Sequence, residues 1–189
     1  GKYGDLLSKS GIKIYTLNMK PEKISLTTLY KLIKILKKEK ANIVQTWLYH
    51  ADFFGSIAAK LAGVKNLIWN VRHSDFNEKN TRKSLLVLVK ILAKLSYIFP
   101  KKIVFCSKNS IKLHTKIGYQ SKKISYIPNG YDLKKFRPYF PKKFLPKYYT
   151  NFNKNLALLG NVANFKPNKD HKNLLQALQI LKKNKIPFK

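Results

Sequence analysis

Apolar positions along this chain follow two alternating spacings. Short runs at Ile12–Leu17, Asn42–Thr46, Asn66–Val71, Lys102–Cys106 and Lys123–Ile127 predict strands. The stretches between them carry helical spacing. Leu26, Leu29, Tyr30, Ile33 and Leu36 share one face of a helix that Ser25 can cap, with Lys37 and Lys38 in its last turn. His50–Leu61 reads as a helix of small residues (Ala51, Ala58, Ala59) stopped by Gly63. Ser84–Ile98 is an apolar-rich helix ended by Pro100, and Ser107 caps another that Gly118 ends. Ser74–Lys83 is polar and reads as a loop. Such alternation predicts an α/β fold of right-handed βαβ units around a parallel sheet.

The pattern changes after Ile127. The tract Pro128–Thr150 is rich in Pro, Lys and aromatics, lacks periodicity, and reads as a connection. Asn155–Gly160 then predicts a new strand. Asp170 can cap a helix carrying Leu174, Leu175, Leu178 and Leu181. One strand and one helix cannot bury a core of their own. The expected organisation is an α/β domain over 1–127, a connection over 128–154, and the start of a second domain over 155–189. Gly1–Ser10 is neither a strand nor the Gly-rich turn that usually opens a doubly wound domain, so both ends read as clipped.

Charge narrows the partners. The 189 residues hold 39 Lys+Arg against 8 Asp+Glu, a net +31. Only Arg72, Arg82 and Arg137 are arginines, and the lysines are spread along the whole chain. With frequent Asn, Ile, Tyr and Phe, this fits the bias of an AT-rich genome. Attraction to an anionic membrane surface is the next reading, because each lysine near such a surface adds roughly 1 kcal/mol. No zinc-finger, basic-zipper or aromatic RNA-binding signature supports a specific nucleic-acid partner. The lone Cys106 excludes an internal disulfide, and the four scattered histidines form no metal-binding pair. No apolar run approaches the ~20 residues of a membrane span. A cytoplasmic place follows as the expectation, with peripheral contact at the inner membrane face. For that contact the candidate is the basic, apolar helix Ser84–Ile98; a plain packed helix with solvated lysines is the equal alternative.

Four segments carry a family resemblance. They are Ile43-Val-Gln-Thr-Trp-Leu-Tyr-His-Ala-Asp-Phe-Phe-Gly55 with Ala58–Gly63, Trp69-Asn-Val-Arg-His-Ser-Asp75, and Val104–Ser107 continuing to Ile127-Pro-Asn-Gly-Tyr-Asp132 and Phe136-Arg-Pro138. The fourth is Gly160-Asn-Val-Ala-Asn-Phe-Lys-Pro-Asn-Lys-Asp-His171, followed by Asn173–Ala177. In order and spacing they resemble glycosyltransferase family 4, the retaining enzymes of GT-B fold. The resemblance implies two Rossmann-like domains, the first holding an acceptor and the second a nucleotide-sugar donor. It implies sugar transfer to a hydroxyl of a glycan or lipid-linked acceptor in cell-surface polysaccharide or lipopolysaccharide synthesis. It also implies that no metal or other cofactor is required. Of the second domain only the first βα unit is expected here, so the chain alone is expected to be inactive. A basic nucleic-acid-binding module and another GT-B enzyme, such as a sugar-nucleotide epimerase, are the rival readings.

Breaking a nucleotide-sugar bond builds negative charge on the departing diphosphate, which fixed cations and N–H groups stabilise. By resemblance the donor domain supplies an Arg and a Lys at positions occupied here by Asn164 and Lys169, beside Gly160. Lys169 fits. Asn164 lacks the charge, and Lys166 is a candidate to compensate. The helix starting near His171 adds an anion site at its N-terminus. His73 follows a strand at the carboxyl edge of the sheet, where ligands gather in open α/β folds, and the resemblance makes it a cleft histidine contacting the donor sugar. Arg72 and Asp75 are candidates for acceptor hydroxyls or phosphate, and His50 for the cleft. Asn129 and Gly130 belong to a turn that can reach ligand through its backbone. His114 and Cys106 read as core, and Asp52 as a favourable charge at a helix start.

Overall fold

The structure, a computed structural model, describes residues 3–19, 25–73, 82–137, 156–157 and 159–189. These divide into two units, 1–131 and 132–189. In the first, a short helix α1 (Gly4–Lys9) precedes α2 (Leu26–Lys38). The order then runs β1 (Ile43–Trp47), α3 (Tyr49–Leu61), β2 (Asn66–Val71), α4 (Lys83–Leu95), β3 (Lys102–Phe105), α5 (Lys108–Ile117) and β4 (Ile124–Tyr126). All pairings are parallel and the spatial order is β1-β2-β3-β4. A sheet that advances steadily through right-handed crossovers carries α3, α4 and α5 side by side on one face, and these helices touch in that sequence.

Local chemistry accounts for most boundaries. Ser25 accepts from the Thr28 amide and Ser107 from the Ser110 amide, each starting its helix. Gly118 ends α5 in the left-handed conformation at φ 106°. The core gathers Leu67, Trp69 and Val71 from β2 and Ile103 and Phe105 from β3. Against them lie Ala59, Val89, Leu92 and Tyr119. Gly55 permits the close approach of α3 to β1, since a methyl there would overlap the Thr46 methyl.

Two expectations are corrected. Ile12–Leu17 is not a strand: it joins no ladder, and Ile12, Ile14 and Tyr15 stay exposed. Its fixed points are instead the Lys13 ammonium and the Tyr15 hydroxyl, both donating to Glu39 just past α2. These contacts hold the Glu39 carboxyl below its ordinary value. The second correction is that α4 stops at Leu95, three residues before Ile98.

β1 is the open edge of the sheet. Beside it an apolar groove of about 640 Å³ is walled by Leu29, Leu32 and Leu36 of α2, Phe54 of α3, and Leu17. Among its described residues the second unit has one long helix, α6 (His171–Lys183), with no buried residue. Of the expected strand at Asn155–Gly160, the described residues show a single parallel bridge, Ala157 to Phe188. A lone extended segment has no ladder to join.

Candidate functional site

The site in the first unit forms where the strands end. Trp47 closes β1, Arg72 and His73 follow β2, and Asn129 follows β4. Between Trp47 and α3, Leu48 takes φ 74°, ψ 153°, a conformation that costs a non-glycine residue on the order of 1–3 kcal/mol. On one side of this bend Trp47 meets Arg72; on the other Tyr49 meets His73 and His114.

The Arg72 guanidinium stacks on the Trp47 ring, 4.5 Å from its centroid, and donates through Nη1 to the Asn129 side-chain oxygen. One side chain thus links the ends of β1, β2 and the segment after β4. Its Nε is buried without a partner among the described residues. His73 is held from two directions. Its backbone carbonyl accepts from the Ser110 hydroxyl of α5, and its ring lies 5.9 Å from that of Tyr49.

A buried polar layer supports this arrangement. His114 is fully buried. Its Nδ1 lies 2.7 Å from the Ser110 carbonyl, which can only accept, so Nδ1 carries the proton. Nε2 therefore accepts from the Tyr49 hydroxyl at 2.7 Å. The imidazole is lowered to about 4 from its usual 6.5, chiefly by burial, with the Ser110 bond opposing and nearby His73 adding a smaller push downward. Asp52 is equally buried. Burial pushes its carboxyl up to about 7, although the Thr46 hydroxyl, donating to Oδ1 at 2.5 Å, pulls the other way. Asp52 Oδ2 has no partner among the described residues. The helix-start position predicted for Asp52 is correct; its burial and raised carboxyl required the fold.

Arg72, His73 and Asn129 are therefore brought together, with Gly130 adjacent and exposed. His50 is exposed on α3 and faces the apolar groove. Asp75 lies outside the described residues. Trp47 and Tyr49 were missed as site residues, although both stand in the first quoted motif. Cys106 is half-buried rather than interior.

In the second unit, Gly160, Asn164 and Lys169 share the loop that leads into α6, and all are exposed. His171 organises this loop. Its Nε2 donates to the Asn164 carbonyl at 3.0 Å, and its ring stacks on Phe165 at 4.7 Å. A short helical turn, Pro167–Lys169, presents Lys169 just before α6. At the α6 N-terminus the Asp170 carboxylate accepts from the Asn173 amide, at φ 48°, the cap expected of it.

Among the described residues, no cluster of three or more His, Cys, Asp or Glu could hold a metal ion. Nor is any helix among them long and apolar enough to cross a membrane.

Comparison with known proteins places this geometry. The chain is 34% identical over 169 residues to the UDP-Gal:alpha-D-GlcNAc-diphosphoundecaprenol alpha-1,3-galactosyltransferase of Escherichia coli, covering 85% of this chain and 42% of that protein. It is 27% identical over 187 residues to the capsular polysaccharide biosynthesis glycosyltransferase CapH of Staphylococcus aureus, covering 97% and 47%. The chain thus spans less than half the length of either relative. The crystal structure of Anabaena Alr3699/HepE in complex with UDP and glucose superposes with a TM-score of 0.70 at 17% identity, over 94% of this chain and 47% of that one. That likeness shows the fold: an α/β, Rossmann-like parallel sheet of GT-B type. Residues 6–135 match the sequence profile of glycosyltransferase family 4, and with a match across that much of its length the chain belongs to this family.

Proposed function

We propose that this chain forms the acceptor-side domain, and the beginning of the donor side, of a retaining glycosyltransferase. It would move a sugar from a nucleotide donor to a hydroxyl of a lipid-linked glycan in cell-surface polysaccharide synthesis. The observation that carries this is the fastening of His73 at the carboxyl edge, with Arg72 beside it, in a chain of this family. A diphosphate-linked polyprenyl acceptor is the class named for the Escherichia coli relative, and we carry that class to this protein. His73 would contact the donor sugar. Lys169, with Asn164 and Gly160 around it, would meet the departing diphosphate, where one fixed cation offsets growing charge without reorganising at the moment of reaction.

The full gene product assayed with labelled nucleotide sugars tests this. Lys169→Ala should lower kcat about 10²-fold, the scale of losing one preorganised donor of charge stabilisation. His73→Ala should lower kcat or weaken donor binding. Full turnover in both variants would end these assignments.

We also infer contact with an anionic membrane surface. Val89, Leu92 and Ala93 of α4 face the core, whereas Val87 and Ile91 stay exposed beside Lys90 and Lys94. Tyr97 and Ile98 extend this exposed face. Apolar anchors among lysines suit an anionic interface. The chain should co-sediment with phosphatidylglycerol vesicles at physiological salt, and less so with Ile91→Ser. Equal sedimentation of both would leave only net charge as the cause.

A further inference from the structure

We propose that Arg72, braced by Trp47 and Asn129, is the seat for the acceptor's phosphates: the diphosphate that joins sugar to lipid. The inference rests on the transferase reading above and assigns its acceptor to named groups.

The geometry is that of an anion fork held ready. A guanidinium has five N–H donors in one plane. Trp47 covers one face of that plane, and Asn129 accepts from a single donor. Among the described residues the buried Nε has no hydrogen-bond partner. No carboxylate pairs with Arg72 among the described residues. Its neighbours restrain the side chain already, so ligand binding costs little further rotamer entropy. A planar fork matches two phosphate oxygens, whereas a lysine in the same place offers only a point charge. Asn129 comes 57 residues later in the chain and acts as a positioning residue, keeping the guanidinium plane at the strand ends. Because His73 is the next residue, a phosphate held by Arg72 would lie beside the histidine assigned to the donor sugar.

Trp47 provides a direct readout. The chain has two tryptophans; Trp69 is buried, whereas Trp47 is half exposed beneath the guanidinium. Inorganic pyrophosphate titrated into the 189-residue chain at physiological salt should change tryptophan emission saturably. Trp47→Phe should abolish the signal. Arg72→Lys, which keeps the charge, should weaken binding about tenfold, the scale of one charge-assisted bond. Asn129→Ala should weaken it less, and Lys108→Gln, a charge control on the neighbouring helix, should not. Unchanged binding in Arg72→Lys, or an equal loss in Lys108→Gln, would overturn the proposal. Thermal midpoints of the variants identify any loss that comes from unfolding.

Transfer assays on the full gene product separate this proposal from the reading it rests on. Arg72→Lys should raise KM about tenfold for a diphosphate-linked acceptor, with kcat and donor KM unchanged. It should raise KM far less for the same sugar carried by a plain alkyl chain. Equal effects on both acceptors would overturn the phosphate seat and leave the transferase standing. Absence of transfer to either acceptor would remove the transferase reading, and the pyrophosphate titration would then decide the anion site alone.

Discussion

Replacing Asp52 with Asn should produce a chain that loses stability on acidification from pH 6.5 to 4, where the unmodified chain is nearly level. The cause is a cancellation between two buried groups. The Asp52 carboxyl is raised from an ordinary 3.8 to about 7. Between those values the native state keeps a proton that the unfolded chain releases, so stability falls as pH rises. His114 is lowered from 6.5 to about 4. Between those values the unfolded chain binds a proton that the native state refuses, so stability falls as pH drops. Each slope is about 1.4 kcal/mol per pH unit, and the two oppose one another across the shared window.

Asparagine removes the first slope and exposes the second, an expected loss of about 3 kcal/mol across that window. Other carboxylates, Glu39 included, contribute equally to both proteins and drop out of the difference. Urea midpoints at pH 4.5, 5.5, 6.5 and 7.5 measure it. His114→Phe should show the mirror image, with stability falling as pH rises, because Asp52 then titrates unopposed. Parallel pH profiles for Asp52→Asn and the unmodified chain would refute the cancellation.

Trp69→Ala should be the most damaging single truncation in the first unit, at about 3–5 kcal/mol. Trp69 is fully buried on β2, an interior strand of the sheet. Its ring packs edge-on against Tyr119, and Nε1 donates to the Ser56 hydroxyl at 2.9 Å. That hydroxyl in turn donates to the Asp52 carbonyl. Truncation opens a cavity and also removes a donor from a buried oxygen, so the two losses add. Domains of this size are stable by only about 5–15 kcal/mol, and the urea midpoint should fall accordingly. Trp47→Phe, at the exposed end of β1, is the contrast and should move it little. Similar shifts for both would place the core elsewhere.

These two cases also mark how much was legible in the residues. Ser25, Ser107, Gly118 and Asp170 act on backbone groups within a few positions, so the ends they set were readable from local spacing. The apolar runs of β1 to β4 likewise announced a parallel sheet. Ile12–Leu17 misled because its pattern satisfies a strand, whereas being one requires a neighbouring edge in register. Of Asn155–Gly160, the described residues form only the bridge from Ala157 to Phe188.

At the site, the motif around Trp69-Asn-Val-Arg-His singled out Arg72 and His73, and the loop Gly160–His171 singled out Lys169. No local signal could show that Asn129 would hold Arg72, or that Tyr49 would pair with His114 across 65 residues. Nor could spacing show that Asp52 would be buried with its carboxyl raised. By itself the sequence determined the fold class, the family and most element ends, because those depend on periodicity and short-range hydrogen bonding. Tertiary structure decided which side chains meet at the strand ends and which titrating groups lose their water. Contact and desolvation arise only when distant segments pack together.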